Sequence, residues 1–271
     1  VFVYDKRGTG KSQGQYSQDF SLLADDAAAA VREARRLAGK RAGRVGFHGG
    51  SQGGYVAPLA ATRAPVDFVS VGFGLAISPL EEDRQEIVLE MKLKHHTQAE
   101  IDKALEVAAA AATILTSGFT KGFDEFDAVR NKYRGESWYK DLHGNFTVDF
   151  LPLTAAELRE RKKEFLVGTP MSYDAMPVLR RLKTPQLWQL GALDLAAPSA
   201  ETARRLKSLK GITVAMFPNA EHGIYEFETG PYGARVDLRN SDGYFALIRD
   251  FARDGRLHGS YGASVISGPA K

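Results

Sequence analysis

Two kinds of hydrophobic pattern divide the chain. Over residues 19–38, Phe20, Leu23, Ala27, Ala30, Val31, Ala34 and Leu37 recur at steps of three and four, which predicts an amphipathic helix that Gly39 stops. Short apolar runs follow. Arg44-Val45-Gly46-Phe47-His48 and residues 66–72 read as strands, with a helix predicted between them over 52–64. The same alternation returns late in the chain, with strands over 185–190 and 212–217 and helices over 198–209 and 242–252. Strands without a polar face, alternating with helices, predict an α/β fold built on a mostly parallel sheet with helices on both faces.

Between residues 78 and 173 the alternation stops. Leu89, Leu93, Ile101 and Leu105 make helical faces there, and residues 155–165 make another. The pattern predicts a helical cap over 78–173 inserted into a discontinuous core of 1–77 and 174–258. From Gly259 the residues are small and polar, so 259–271 is expected to be a loose tail. At the other end Val1-Phe2-Val3-Tyr4 reads as a buried strand with no methionine before it. The chain is therefore expected to be a piece of a longer one, with N-terminal strands and any export signal upstream.

Composition narrows the classes. With 271 residues and 44% hydrophobic content the chain can bury one sizeable core, which excludes a disordered or fibrous protein. Its 36 basic and 33 acidic residues are scattered and leave a net charge of +3, so nothing calls for nucleic acid or an anionic membrane. The absence of cysteine excludes a disulfide framework and a thiolate metal site, and leaves the compartment unassigned. The longest apolar stretch, around 108–115, is too short for a membrane span.

Chemistry enters at Gly49-Gly50-Ser51-Gln52-Gly53. A G-x-S-x-G match is weak alone, but this one lies between a predicted strand and a predicted helix. A strand, sharp turn and helix would lift the Ser51 hydroxyl off the sheet, with Gly49 and Gly53 giving room for a strained backbone. The Gln52 N–H and the helix dipole would face a developing oxyanion. The competing reading is a turn in which the serine only caps the helix.

A serine nucleophile needs a base, and the base needs a carboxylate to hold its tautomer. Asp194 follows the strand over 185–190, and His222 follows the strand over 212–217; both lie at carboxyl ends, where loops of a parallel sheet converge. Asp174 and Glu221 compete with Asp194 for the acid. The other histidines fit less well: His48 sits in the end of its strand, His95 and His96 in the insertion, and His143 and His258 have no strand before them. Gly8-Thr9-Gly10-Lys11-Ser12 is not a phosphate loop, because G-x-x-x-x-G-K-[ST] needs glycine where Asp5 stands.

Together, Tyr4 through Ser12, the segment 46–58, Leu190-Gly191 with Asp194, and Glu221-His222-Gly223 resemble the serine α/β-hydrolases. More narrowly, they are similar to bacterial carboxylesterases and the serine aminopeptidase-like group, whose helical cap precedes the acid-bearing strand. The resemblance spans most of the chain outside 78–173. It implies Ser51 as nucleophile, Asp194 as acid, His222 as base and the Gln52 N–H as one oxyanion donor. The family's second donor comes from an earlier loop, often marked His-Gly, which this sequence does not contain.

The chemistry so implied is hydrolysis of a small-molecule carboxylic ester, requiring neither metal nor cofactor. In the insertion, Phe119, Phe123, Phe126, Trp138 and Tyr139 could line an acyl pocket of a lid or pack among its helices. Two other readings stay open. A serine aminopeptidase would need an acidic cluster for the free α-amine, which Glu81, Glu82, Asp83 and Glu86 could supply. A hydrolase-fold protein that binds a ligand without turnover is the third.

Overall fold

The computed structural model describes residues 1–267. They fall into two compact units, one formed by Val1–Ile77 with the chain from Asp174 onward, the other by Ser78–Tyr173.

In the first unit α1 (Phe20–Ala38) starts where the Asp19 side chain accepts a hydrogen bond from the Leu22 N–H, and it buries Phe20, Leu23, Ala27 and Val31. Then come β1 (Gly46–Gly50), α2 (Gly53–Ala61) and β2 (Phe68–Gly72).

The second unit is helical: α3 (Pro79–Leu93), α4 (Gln98–Thr116), α5 (Phe123–Tyr133), α6 (Thr147–Phe150), α7 (Ala155–Glu160) and α8 (Lys162–Phe165). Ser78 caps α3, and capping boxes of Thr97 with Glu100 and Thr154 with Glu157 begin α4 and α7. The helix expected over 155–165 is interrupted at Arg161, whose φ of −86° and ψ of 7° leave the helical region. Phe119, Phe123, Phe126 and Trp138 are buried in this unit's own core with Ile87, Met91 and Ile114, and Tyr139 packs against them. Of the two fates open to these aromatics, packing among the helices is the one observed. Large flat rings remove the most apolar surface from water when they pack together.

The chain returns to the first unit with α9 (Met176–Arg181), β3 (Gln186–Gly191), α10 (Ser199–Lys207), β4 (Ile212–Phe217), β5 (Tyr225–Thr229), β6 (Arg235–Asn240), α11 (Tyr244–Asp254) and β7 (Ser264–Ser267). The main sheet has the order β1-β2-β3-β4-β7, parallel except for the antiparallel β7. Its register puts Phe68, Leu187, Ala215 and Phe217 on one face, where they form a core with Tyr244, Leu247 and Phe251 of α11. Phe47 points the other way and packs with Ala24, Ala27 and Ala60 of α1 and α2. Helices therefore cover both faces, which is why β2 and β3 are buried at every residue.

Three features depart from expectation. Residues 1–4 form no strand; Val1 and Val3 are exposed, and no described strand pairs with them. An apolar, β-branched run becomes a strand only when a neighbour takes its backbone hydrogen bonds. The tail is not loose throughout: Tyr261 is buried and donates to Asp250 Oδ2 at 2.9 Å, and β7 completes the edge of the sheet beside β4. Residues 268–271 of that tail lie outside the described residues. Finally β5 and β6 form a separate antiparallel hairpin that the sequence pattern did not predict. Among the described residues no helix is long and apolar enough to cross a membrane.

Candidate active site

Ser51 stands immediately after β1, with a φ of +51°, in the left-handed region that costs a non-glycine residue energy. The turn is held by neighbours. The Ser51 N–H donates to the Gly72 carbonyl at 2.9 Å, and its carbonyl accepts from the Gly54 N–H at 2.8 Å as α2 begins. Gly54 is the first bonded donor, so the Gln52 and Gly53 N–H groups head the helix without intrahelical partners. A helix N-terminus of this kind favours negative charge.

The glycines have distinct reasons. A β-carbon on Gly49 would sit 2.9 Å from the Gly53 α-carbon, so strand and helix cross too closely for a side chain there. Gly53 itself has open space around a would-be β-carbon, so the room the turn needs is required at Gly49 and not at Gly53. On Gly50 the same atom would meet Phe73 Cζ at 2.3 Å.

Asp194 and His222 are brought together. His222 Nδ1 lies 3.1 Å from Asp194 Oδ2 and 3.3 Å from Oδ1. Oδ1 also accepts the Ala197 N–H at 2.7 Å, and the carboxylate is almost fully buried while the imidazole is one-third exposed. A nitrogen facing a carboxylate carries the proton, which leaves Nε2 as the basic nitrogen. The loops bearing the two residues cross closely, since a β-carbon on Gly191 would lie 2.5 Å from the Ala220 carbonyl oxygen. Ser51 follows β1, and Asp194 and His222 follow β3 and β4, so all three leave the carboxyl ends of parallel strands.

Several of the competing residues have partners of their own. His48 Nδ1 is 3.0 Å from Ser70 Oγ, in a polar ladder across the sheet that continues to Gln189. His96 pairs with Asp141 and His258 with Asp254. Asp174 accepts the Met176 N–H, and Glu221 pairs with Arg235.

Two residues near the site are given no role of their own by the sequence. Phe73 follows β2 with a φ of +42°, its N–H donating to the Gln189 carbonyl at 2.7 Å, and its ring meets His222 edge-on at 4.9 Å. Lys6 donates to Gln52 Oε1 at 2.8 Å. Its loop is fixed by Asp5, which accepts the Lys11 N–H, and by the fork of Arg7 on Asp26 of α1. A lysine or phenylalanine in a loop is common, and only the folded backbone places these two.

No family model matches the chain, and no curated protein matches it. Solved structures do resemble it. A thermophilic esterase from Thermogutta terrifontis is 17% identical, covering 80% of this chain and 71% of its own, with a TM-score of 0.42. An alpha/beta fold family hydrolase from Bacillus anthracis is 18% identical over 81% of this chain and 74% of its own, at a TM-score of 0.44. The enol-lactonase from Burkholderia xenovorans is 17% identical over 79% and 70%, at 0.39.

Proposed function

We propose that this chain carries the nucleophile, acid and base of a serine hydrolase of the α/β-hydrolase type, acting on carboxylic esters. The observation that carries the reading is the Asp194–His222 pair, a buried carboxylate on Nδ1 of a half-open imidazole, in the unit that also holds a strained serine at a strand-to-helix turn.

In this reading Ser51 Oγ attacks the ester carbonyl as His222 Nε2 takes its proton. Asp194 stabilises the imidazolium, and the Gln52 N–H donates to the oxyanion. The tetrahedral intermediate collapses, the C–O bond to the alcohol breaks, and His222 returns the proton to the leaving oxygen. Water then attacks the acyl-enzyme by the same route in reverse, and carboxylic acid is released.

The amine-binding cluster of an aminopeptidase finds less support. Asp83 accepts hydrogen bonds from the Phe146 and Thr147 N–H groups and from Thr147 Oγ1, and Glu81 is bound by Arg84 and Gln85. Two of the four carboxylates named for an α-amine are thus committed within the helical unit. Turnover of a short-chain aryl ester, set beside an aminoacyl anilide of similar size, tests the assignment. Faster cleavage of the ester supports it, and cleavage of the anilide alone overturns it in favour of the peptidase. A folded protein that binds such compounds and turns over neither is the third reading.

A further inference from the structure

The Asp194–His222 contact joins two connecting segments: Asp194 lies in the loop between β3 and α10, and His222 opens a single, kinked 3-10 turn between β4 and β5. A hydrogen bond between two such loops keeps its geometry only if something else fixes their separation. The peptide that precedes Asp194 is held on both sides. The Leu193 N–H donates to the Ala220 carbonyl at 2.9 Å, and the Leu193 carbonyl accepts from Arg235 Nη1 at 2.5 Å. The same Nη1 is 3.3 Å from Oε2 of Glu221, the residue next to His222. One guanidinium nitrogen therefore touches both loops, one residue away from the acid on one side and one residue away from the base on the other.

Arg235 is well seated for this. It opens β6, opposite Thr229 in the hairpin register, and its guanidinium lies 4.2 Å from the centre of the Phe227 ring. Its side chain is only 19% exposed. The hairpin is in turn fastened to the base loop: the Glu221 N–H donates to the Tyr225 carbonyl at 2.8 Å, the Ser241 N–H to the Ile224 carbonyl at 2.9 Å, and Asn240 Nδ2 to the Gly223 carbonyl at 2.9 Å. A hairpin with no place in the main sheet thus ends at the site.

We propose that Arg235 is a positioning residue, and the β5–β6 hairpin its mount, which together fix the loop of Asp194 against the loop of His222. The proposal rests on the serine hydrolase reading for its catalytic meaning, and on geometry alone for the brace. A purely structural arginine would lower thermal stability and leave the Asp194–His222 hydrogen bond as it was. A brace would not.

The test uses the full chain with two readouts: the rate at which a fluorophosphonate labels Ser51, and the far-downfield proton resonance of His222 Nδ1. R235M should slow labelling about tenfold or more and broaden the resonance away. R235K, which keeps the charge and donors but not the flat stack on Phe227, should restore part of both. L37S, at an exposed residue of α1, should leave both unchanged. Parental labelling and an intact resonance in R235M overturn the proposal. Where R235M fails to fold, F227L removes the ring beside the guanidinium and reads the same brace: slower labelling supports it and the parental rate overturns it. A parent chain whose Ser51 never labels sinks the hydrolase reading only, because the His222 proton still reports on Arg235.

Discussion

The ring of Phe73 fills the space that a β-carbon on Gly50 would need, with Cζ 2.3 Å from that position, and its edge-on contact with His222 places it beside the imidazole. Glycine before Ser51 and an aromatic ring after β2 are thus one packing arrangement. G50A should displace the ring and cost about 1–3 kcal/mol of stability, the usual cost of overpacking. Chemical denaturation measures it, and a G50A protein as stable as the parent would refute the arrangement.

Phe73 itself should matter more to rate than to substrate affinity. F73A removes a wall of the imidazole while leaving the Asp194 hydrogen bond, so kcat for an aryl ester is expected to fall about tenfold with KM little changed. A rise in KM at constant kcat would assign the ring to the substrate instead.

D194N keeps an oxygen for the Ala197 N–H and so should fold normally. Its amide cannot stabilise an imidazolium and can force the wrong tautomer, so turnover should fall by about four orders of magnitude. Steady-state kinetics beside a thermal melt separates this from unfolding; an active D194N would return Asp174 or Glu221 to consideration as the acid.

In the helical unit, burial pushes the Asp83 carboxyl pKa above its ordinary value, and the hydrogen bonds from Thr147 and Phe146 only partly offset this. A raised carboxyl pKa means that the folded state holds its proton more tightly than the unfolded chain does. The stabilisation is full below the ordinary value of 3.8 and is lost as pH rises through the raised one. D83N should therefore gain on the parent as pH rises through that window, read as a difference in melting temperature across a pH series. D83A, which leaves the Phe146 and Thr147 N–H groups without their acceptor, should cost about 3 kcal/mol at low pH, and less as pH rises through that window.

Much of the frame was legible because burial wrote it into residue type. The strand at 212–217 has the bounds expected of it, and α1 begins one residue after its Asp19 cap, since apolar runs and capping side chains are local signals. Ser51, Asp194 and His222 could be singled out as candidates for another reason: each follows a strand that could be read. Residues 1–4 misled because apolar character signals a strand only where a partner exists. The β5–β6 hairpin stayed hidden because charged residues alternate along β6, where Arg235 and Arg239 face carboxylates rather than a hydrophobic core. Phe73 and Lys6 act through contacts made by chain segments far apart in sequence, which no window of residues displays.

The central claim is that Ser51 is a nucleophile made reactive by His222. Its most direct test is labelling of the folded chain by a fluorophosphonate, with the modified residue located by mass spectrometry. The account predicts one adduct, on Ser51, abolished in S51A and slowed by several orders of magnitude in H222Q. Labelling elsewhere, or labelling of Ser51 at an equal rate without His222, would contradict it.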